Sequence, residues 1–265
     1  MRDILIELDY LINNNTITRT DLEQTILYRI VQDESILDAS NLGCSPKILT
    51  LVARIAATSD SLSIVNMANN NLDDYGPAIA TALASSNTIH TVNMANNNLF
   101  ENGPATATAL ASSNTIRNVD MSYNLLTENG PATATALASS NTIYTVNMSN
   151  NILDENGPAT ATALASSNTI HTVDMSYNVL SENGPATATA LASSNTIYTV
   201  NMAINNLYKH EAAIKKIFDN YNSDMKNEIH DYIQEPGNYP DNVDIPDMLT
   251  NLIGEYLGDP IDLTL

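Results

Sequence analysis

A glycine-proline pair returns along this chain at one fixed interval. Gly76, Gly103, Gly130, Gly157 and Gly184 stand 27 residues apart, and Pro77, Pro104, Pro131, Pro158 and Pro185 follow them. Self-similarity with a period of about 20 to 50 residues marks stacked repeats, in which each unit buries its apolar face only against its neighbours. One unit, Ile89 to Thr115, reads IHTVNMANNNLFENGPATATALASSNT, and the others differ from it at few places. The tract runs from about Leu62 to Leu207. Aromatic residues make up 5% of the chain, with no Trp and two Phe, so the core must be built from Leu, Ile, Val, Met and Ala. Such side chains suit many thin layers better than one thick centre.

Within the unit, Ile89, Val92, Met94, Asn97 and Leu99 fall on the spacing LxxLxLxxNxL. Ile116, Val119, Met121, Asn124 and Leu126 repeat it, and it recurs from Leu62 to Leu72, Ile143 to Leu153, Ile170 to Leu180 and Ile197 to Leu207. This pattern resembles the leucine-rich repeat family. The unit length and the Gly-Pro helix start resemble its ribonuclease-inhibitor subtype. The resemblance implies an α/β fold: a solenoid, or horseshoe, with parallel strands on the concave face, α-helices on the convex face and helical caps at both ends. It also implies a hydrogen-bonded column of asparagines, here Asn70, Asn97, Asn124, Asn151, Asn178 and Asn205. A side-chain amide where the strand leaves the sheet can satisfy backbone groups that have lost ladder partners. Units so alike, Asn-rich and Lys-poor, are similar to leucine-rich repeat proteins of intracellular bacteria, some of which act as effectors inside a eukaryotic host.

The residues support the same layering on their own. Val92 and Met94 alternate with Asn93 and Ala95, as a short strand with one buried face should, which predicts a strand over 91–95. Glu-Asn-Gly-Pro then makes a turn, and Pro104 presets the first helical position, where an unpaired N–H is expected anyway. PATATALASS continues as helix. Its ATATA stretch has the period of a strand, but Ala is the best helix former, and Ala107, Leu110 and Ala111 share one helical face. Asn114 is expected as the left-handed residue that ends the helix.

A solenoid end exposes an apolar layer, so terminal units must be atypical. Residues 1–60 read as an N-terminal helical cap carrying DILIELDYLI, TDLEQTILYRIV and SPKILTLVARIAA. Between the last two, ILDASNLG is a degenerate repeat in which Leu37 and Ala39 take the places of Val65 and Met67. Residues 61–207 form six repeats, and 208–265 a C-terminal helical cap or tail. There HEAAIKKIFDNY is amphipathic, and MKNEIHDYI and PDMLTNLIGEYL follow. Ile245, Pro246, Met248, Leu249, Leu252, Ile253, Tyr256 and Leu257 resemble the opening helix of an F-box, although only Gly258 to Leu265 remain for the further helices an F-box needs.

Charge narrows the function. Thirty acidic residues against 10 basic ones give a net charge of -20, which phosphate backbones and anionic membranes repel. No nucleic acid and no membrane partner is therefore expected, and no apolar run approaches the roughly 18 residues of a spanning helix. MRDILIELDY carries acids where a secretory signal has a basic region, so the expected location is the cytoplasm, or a host cell reached by a non-Sec route. One cysteine, Cys44, excludes an internal disulfide framework. His90 and His171 stand three rungs apart, roughly 14 Å, too far to share a zinc ion with bonds of about 2 Å. His210 and His230 lie in acidic surroundings, and no GxxxxGKS or GxGxxG loop occurs. The expectation is a protein without enzymatic activity, metal or cofactor.

Side chains flanking the buried Val and Met form stripes on the concave face, with rungs about 4.8 Å apart. One stripe reads Ser63, His90, Arg117, Tyr144, His171, Tyr198. A second reads Asn66, Asn93, Asp120, Asn147, Asp174, Asn201, and a third Asn69, Asn96, Tyr123, Asn150, Tyr177, Ile204. Much of the variation among the units falls here. Arg117, Tyr144, His171 and Tyr198, with Asp120, Tyr123, Asp174 and Tyr177, are the side chains best suited to anchor a protein partner. Drift at exposed positions after recent duplication leaves the same pattern. The sequence thus points to a non-enzymatic protein-binding scaffold, with a ubiquitin-ligase substrate adaptor using the F-box-like tail as the alternative, and it sets no oligomeric state.

Overall fold

The computed structural model describes residues 35–43 and 45–221. Among them, seven strands form one parallel sheet in sequence order: β1 (Ile36–Asp38), β2 (Ile64–Asn66), β3 (Thr91–Asn93), β4 (Asn118–Asp120), β5 (Thr145–Asn147), β6 (Thr172–Asp174) and β7 (Thr199–Asn201). Equivalent residues of successive units face each other, as in Val65 with Val92 and Val92 with Val119. The helices alternate with the strands: α1 (Pro46–Ala56), α2 (Gly76–Ala84), α3 (Gly103–Ala111), α4 (Gly130–Ala138), α5 (Gly157–Ala165), α6 (Gly184–Ala192) and α7 (Glu211–Tyr221). A 3-10 turn of three residues leads into each of α2 to α6.

Each unit contributes one thin layer to a continuous core. In the unit of β4, Ile116, Met121, Leu126, Ala134 and Leu137 are fully buried, and Val119 nearly so. The helix that closes the layer forms despite its threonines. Thr106 turns inward beside Ala107 and Leu110, while the exposed Thr108 donates its hydroxyl to the Pro104 carbonyl at 2.8 Å. Small side chains let successive helices lie close together. A Cβ on Gly130 would come within 2.3 Å of Leu153 Cδ2 and 2.9 Å of Thr160 Oγ1, both in the next unit. The φ of Gly130 is an ordinary helical -53°. Its glycine is therefore demanded by the next layer, and a helical residue before Pro131 also tolerates a side chain poorly.

Two local expectations need correction. β3 ends at Asn93 and does not run on to residue 95, because Asn93 Oδ1 accepts the Ala95 N–H at 2.8 Å and bends the chain out of the strand. The helix end is also different. Ser112 caps α3 in right-handed conformation at φ -74°, and Ser113 Oγ accepts the N–H groups of Thr115 and Ile116 at 3.1 Å. Asn114 is absent from the left-handed positions, which fall instead after each strand, at Asn96, Asn98 and Phe100 in this unit.

At one end, β1 extends the sheet with Leu37 opposite Val65. At the other, α7 packs on α6 and buries Ile214 and Phe218. The expected segments DILIELDYLI, TDLEQTILYRIV, MKNEIHDYI and PDMLTNLIGEYL, the F-box-like residues 245–257, Cys44 and His230 lie outside the described residues.

Candidate protein-binding face

The asparagine column lies inside the stack. Asn151 Oδ1 accepts the N–H of Asn124 at 2.9 Å, and its Nδ2 donates to the carbonyls of Met121 and Met148, both at 3.0 Å. Asn97, Asn124, Asn178 and Asn205 make the same bridge to the preceding unit. Asn70 does so toward Leu42 and Ala39. All six are buried, so the column joins layers and presents nothing to a partner.

In the stripe between Val and Met, the two aspartates are enclosed as well, while Asn66, Asn93, Asn147 and Asn201 are half-buried. Asp120 and Asp174 are 6% and 5% exposed. Each Oδ1 accepts a backbone N–H two residues on, from Ser122 and Ser176 at 2.8 Å. Each Oδ2 accepts from the next rung's amide, Asn147 or Asn201. Burial pushes both carboxyls above the usual carboxylate range, opposed by these hydrogen bonds. Asn93 and Asn147 close the same turn with an uncharged oxygen, so the two aspartates brace the bend.

The stripe that begins at Ser63 stands out. The Tyr144 ring stacks on His171, with centroids 4.1 Å apart and planes within 10°. Tyr198 meets His171 edge-on at 4.9 Å and 74°. The Tyr144 and Tyr198 hydroxyls hydrogen-bond to each other across the imidazole between them. His171 Nδ1 donates to the Thr169 carbonyl at 2.6 Å. Tyr144 and Tyr198 remain 38% and 42% exposed. Three successive rungs thus carry one interlocked, accessible aromatic cluster. Arg117 is exposed one rung earlier, outside the ring stack.

Tyr123 and Tyr177 sit elsewhere, past the ends of their strands. Both have φ 55°, and they line a groove of about 400 Å³ with Leu125, Asn150, Ile152, Val179, Ile204 and Asn206. Partial burial, with Tyr177 nearby, raises the pKa of the Tyr123 hydroxyl. Leu125, Ile152 and Val179 do not emerge from the sequence reading. A signal for them exists, because Asn71, Asn98 and Asn206 occupy the same column, and asparagine is enriched where the backbone is left-handed.

No protein-family model matches the sequence, and no curated protein does. Among solved structures, the leucine-rich repeat-containing protein LegL7 from Legionella pneumophila is similar to this chain with a TM-score of 0.53. The chain folds as a leucine-rich repeat solenoid. Its identity to LegL7 is 18%, over 71% of this chain and 63% of that one, so it spans less than two thirds of that protein's length. Leiomodin-1 actin-binding site 2 is similar at a TM-score of 0.38 and 14% identity, over 74% of this chain and 95% of that one. The tropomodulin C-terminal domain of Caenorhabditis elegans gives 0.37 and 10%, over 66% and 92%.

On this solenoid, no group of three or more His, Cys, Asp or Glu side chains among the described residues is placed to hold a metal ion. No described helix is long and apolar enough to cross a membrane. Among the described residues, exposed side chains gather in the aromatic cluster on one sheet face and in the groove lined by Tyr123 and Tyr177.

Proposed function

We propose that this chain is a non-enzymatic scaffold that binds a protein partner on the exposed face of its sheet, with Tyr144, His171 and Tyr198 as anchors. The observation that carries this reading is the ring cluster itself. Tyrosine is enriched among the residues that dominate binding energy, since it offers contact area and a polar tip on few rotatable bonds. Here the rings hold one another in place, so little side-chain freedom is left to lose on binding. Their backbone is a ladder of hydrogen bonds, with Tyr144 and His171 N–H donating to Arg117 and Tyr144 carbonyls at 2.7 and 2.8 Å. Arg117 extends the footprint by one rung, while Tyr123 and Tyr177 border it at the far ends of the strands. An effector role inside a host cell would suit such a scaffold, and rests on the likeness of its Asn-rich, Lys-poor units to repeat proteins of intracellular bacteria.

The test compares proximity-labelling partner sets of the wild type and a Tyr144→Ala, His171→Ala, Tyr198→Ala variant. The variant is expected to melt with the wild type and to lose specific partners. Identical partner sets from two equally folded proteins would refute the assignment.

A further inference from the structure

Four apolar side chains sit where neither the backbone nor the core calls for them. Leu125, Ile152, Val179 and Ile204 have φ of 53°, 53°, 58° and 54°, a left-handed conformation that branched side chains disfavour. Equivalent positions elsewhere hold Asn71, Asn98 and Asn206, or Asn69, Asn96 and Asn150, which satisfy the same backbone better. The four are also 36%, 48%, 43% and 40% exposed. With Tyr123, Tyr177, Asn150 and Asn206 they line one groove across successive units, which gathers exposed apolar side chains that would otherwise stand singly. Immediately after it in the chain, the 3-10 turns carry Glu128, Asp154 and Glu155, all exposed, and Glu182, which is exposed and already pairs with His210 Nε2 at 2.9 Å. The groove therefore has an apolar floor and an acidic margin, in a chain of net charge -20.

We propose that this groove is a second docking surface and that its occupant is a basic amphipathic helix of a partner protein. A helix rises about 5.4 Å per turn, close to the rung spacing of about 4.8 Å. Apolar residues at i, i+3 or i+4, and i+7 can then meet Leu125, Ile152 and Val179 one rung at a time, while flanking Lys and Arg meet Glu128, Asp154 and Glu155. The surface is distinct from the aromatic cluster, since Tyr144 precedes β5 and Ile152 follows it.

The experiment measures fluorescence anisotropy of a labelled helical peptide that carries leucines at those positions and lysines beside them, titrated with the full chain. A counterpart with glutamate for each lysine is the control. The lysine peptide is expected to bind, more weakly as salt rises, and the glutamate peptide is not. A Leu125→Asn, Ile152→Asn, Val179→Asn variant should fold, because asparagine already serves at those backbone positions, and should bind on the order of tenfold more weakly. The Tyr144→Ala, His171→Ala, Tyr198→Ala variant should keep peptide binding, so failure of the sheet-face reading stays separate. Equal binding of both peptides, no binding of the lysine peptide, or full binding by the asparagine variant would overturn the proposal. So would a wild-type dimer in sedimentation that the asparagine variant abolishes, which would make a second copy the occupant.

Discussion

Replacing Asn151 with alanine removes five hydrogen bonds from the middle of the stack. The three carbonyls involved do not lose every partner. Met121 still accepts from Asn124 Nδ2, Met148 from Asn178 Nδ2 and Ser149 from the Tyr123 N–H. The stranded groups are the Asn124 N–H, bonded at 2.9 Å, and the Leu126 N–H, whose 3.4 Å bond is weak. One buried donor left without a partner costs about 1 to 3 kcal/mol, and the weaker second bond brings the expected loss to about 2 to 4 kcal/mol. Urea denaturation followed by circular dichroism measures it, and the transition should broaden as coupling between the flanking units weakens. Asn151→Asp adds a second check. It keeps an acceptor but loses all three donated bonds and turns a charge toward carbonyl oxygens, so at neutral pH it should be worse than alanine. A variant Asn151→Ala within about 0.5 kcal/mol of the wild type would refute the claim that this column joins the units.

Three further outcomes follow from the same geometry. Gly130→Ala should lose about 1 to 3 kcal/mol, because the new methyl meets the fully buried Leu153 and a side chain before Pro131 disfavours the helical backbone. A raised melting temperature would contradict this. Burial raises the Asp120 and Asp174 pKa in the folded protein above the ordinary 3.8, so the stability they contribute is full below that pH and is lost as pH rises through the folded value. The Asp120→Asn, Asp174→Asn variant should therefore melt higher than the wild type at neutral pH, with the gain fading in acid; a gain that persists unchanged at acidic pH would count against burial as its cause. Ile152→Asn should leave the urea midpoint equal or higher, since relief of about 1 kcal/mol of left-handed strain offsets the apolar contact it gives up. A clear drop would show that the side chain serves the core.

The layered architecture is legible because it rests on long-range regularity. Val92, Met94 and Leu99 repeat at one spacing, and a period of 27 leaves little choice but to stack. What the pattern hides is local competition for backbone hydrogen bonds. Asn93 looks like one more outward strand residue, yet its side chain takes the Ala95 N–H and ends the strand. The same bend encloses Asp120 and Asp174, which alternation alone places on an open stripe of their own beside that of Tyr144. Asn114 meets the composition rule for a left-handed helix end, but Ser113 already satisfies that turn with its hydroxyl. The groove stays hidden for a related reason. Leu125, Ile152 and Val179 break an asparagine column, and the break acquires meaning only once the backbone at that column is known to be left-handed.

The most direct test of the sheet-face account places a photoreactive phenylalanine analogue at Tyr144 or Tyr198, and in parallel at the exposed helix positions Thr108 or Thr135. Irradiation in cells should give an adduct of one defined mass from the two sheet positions and none from the helices. Adducts from Thr108 and Thr135, with none from Tyr144 and Tyr198, would put the working surface on the other side of the molecule.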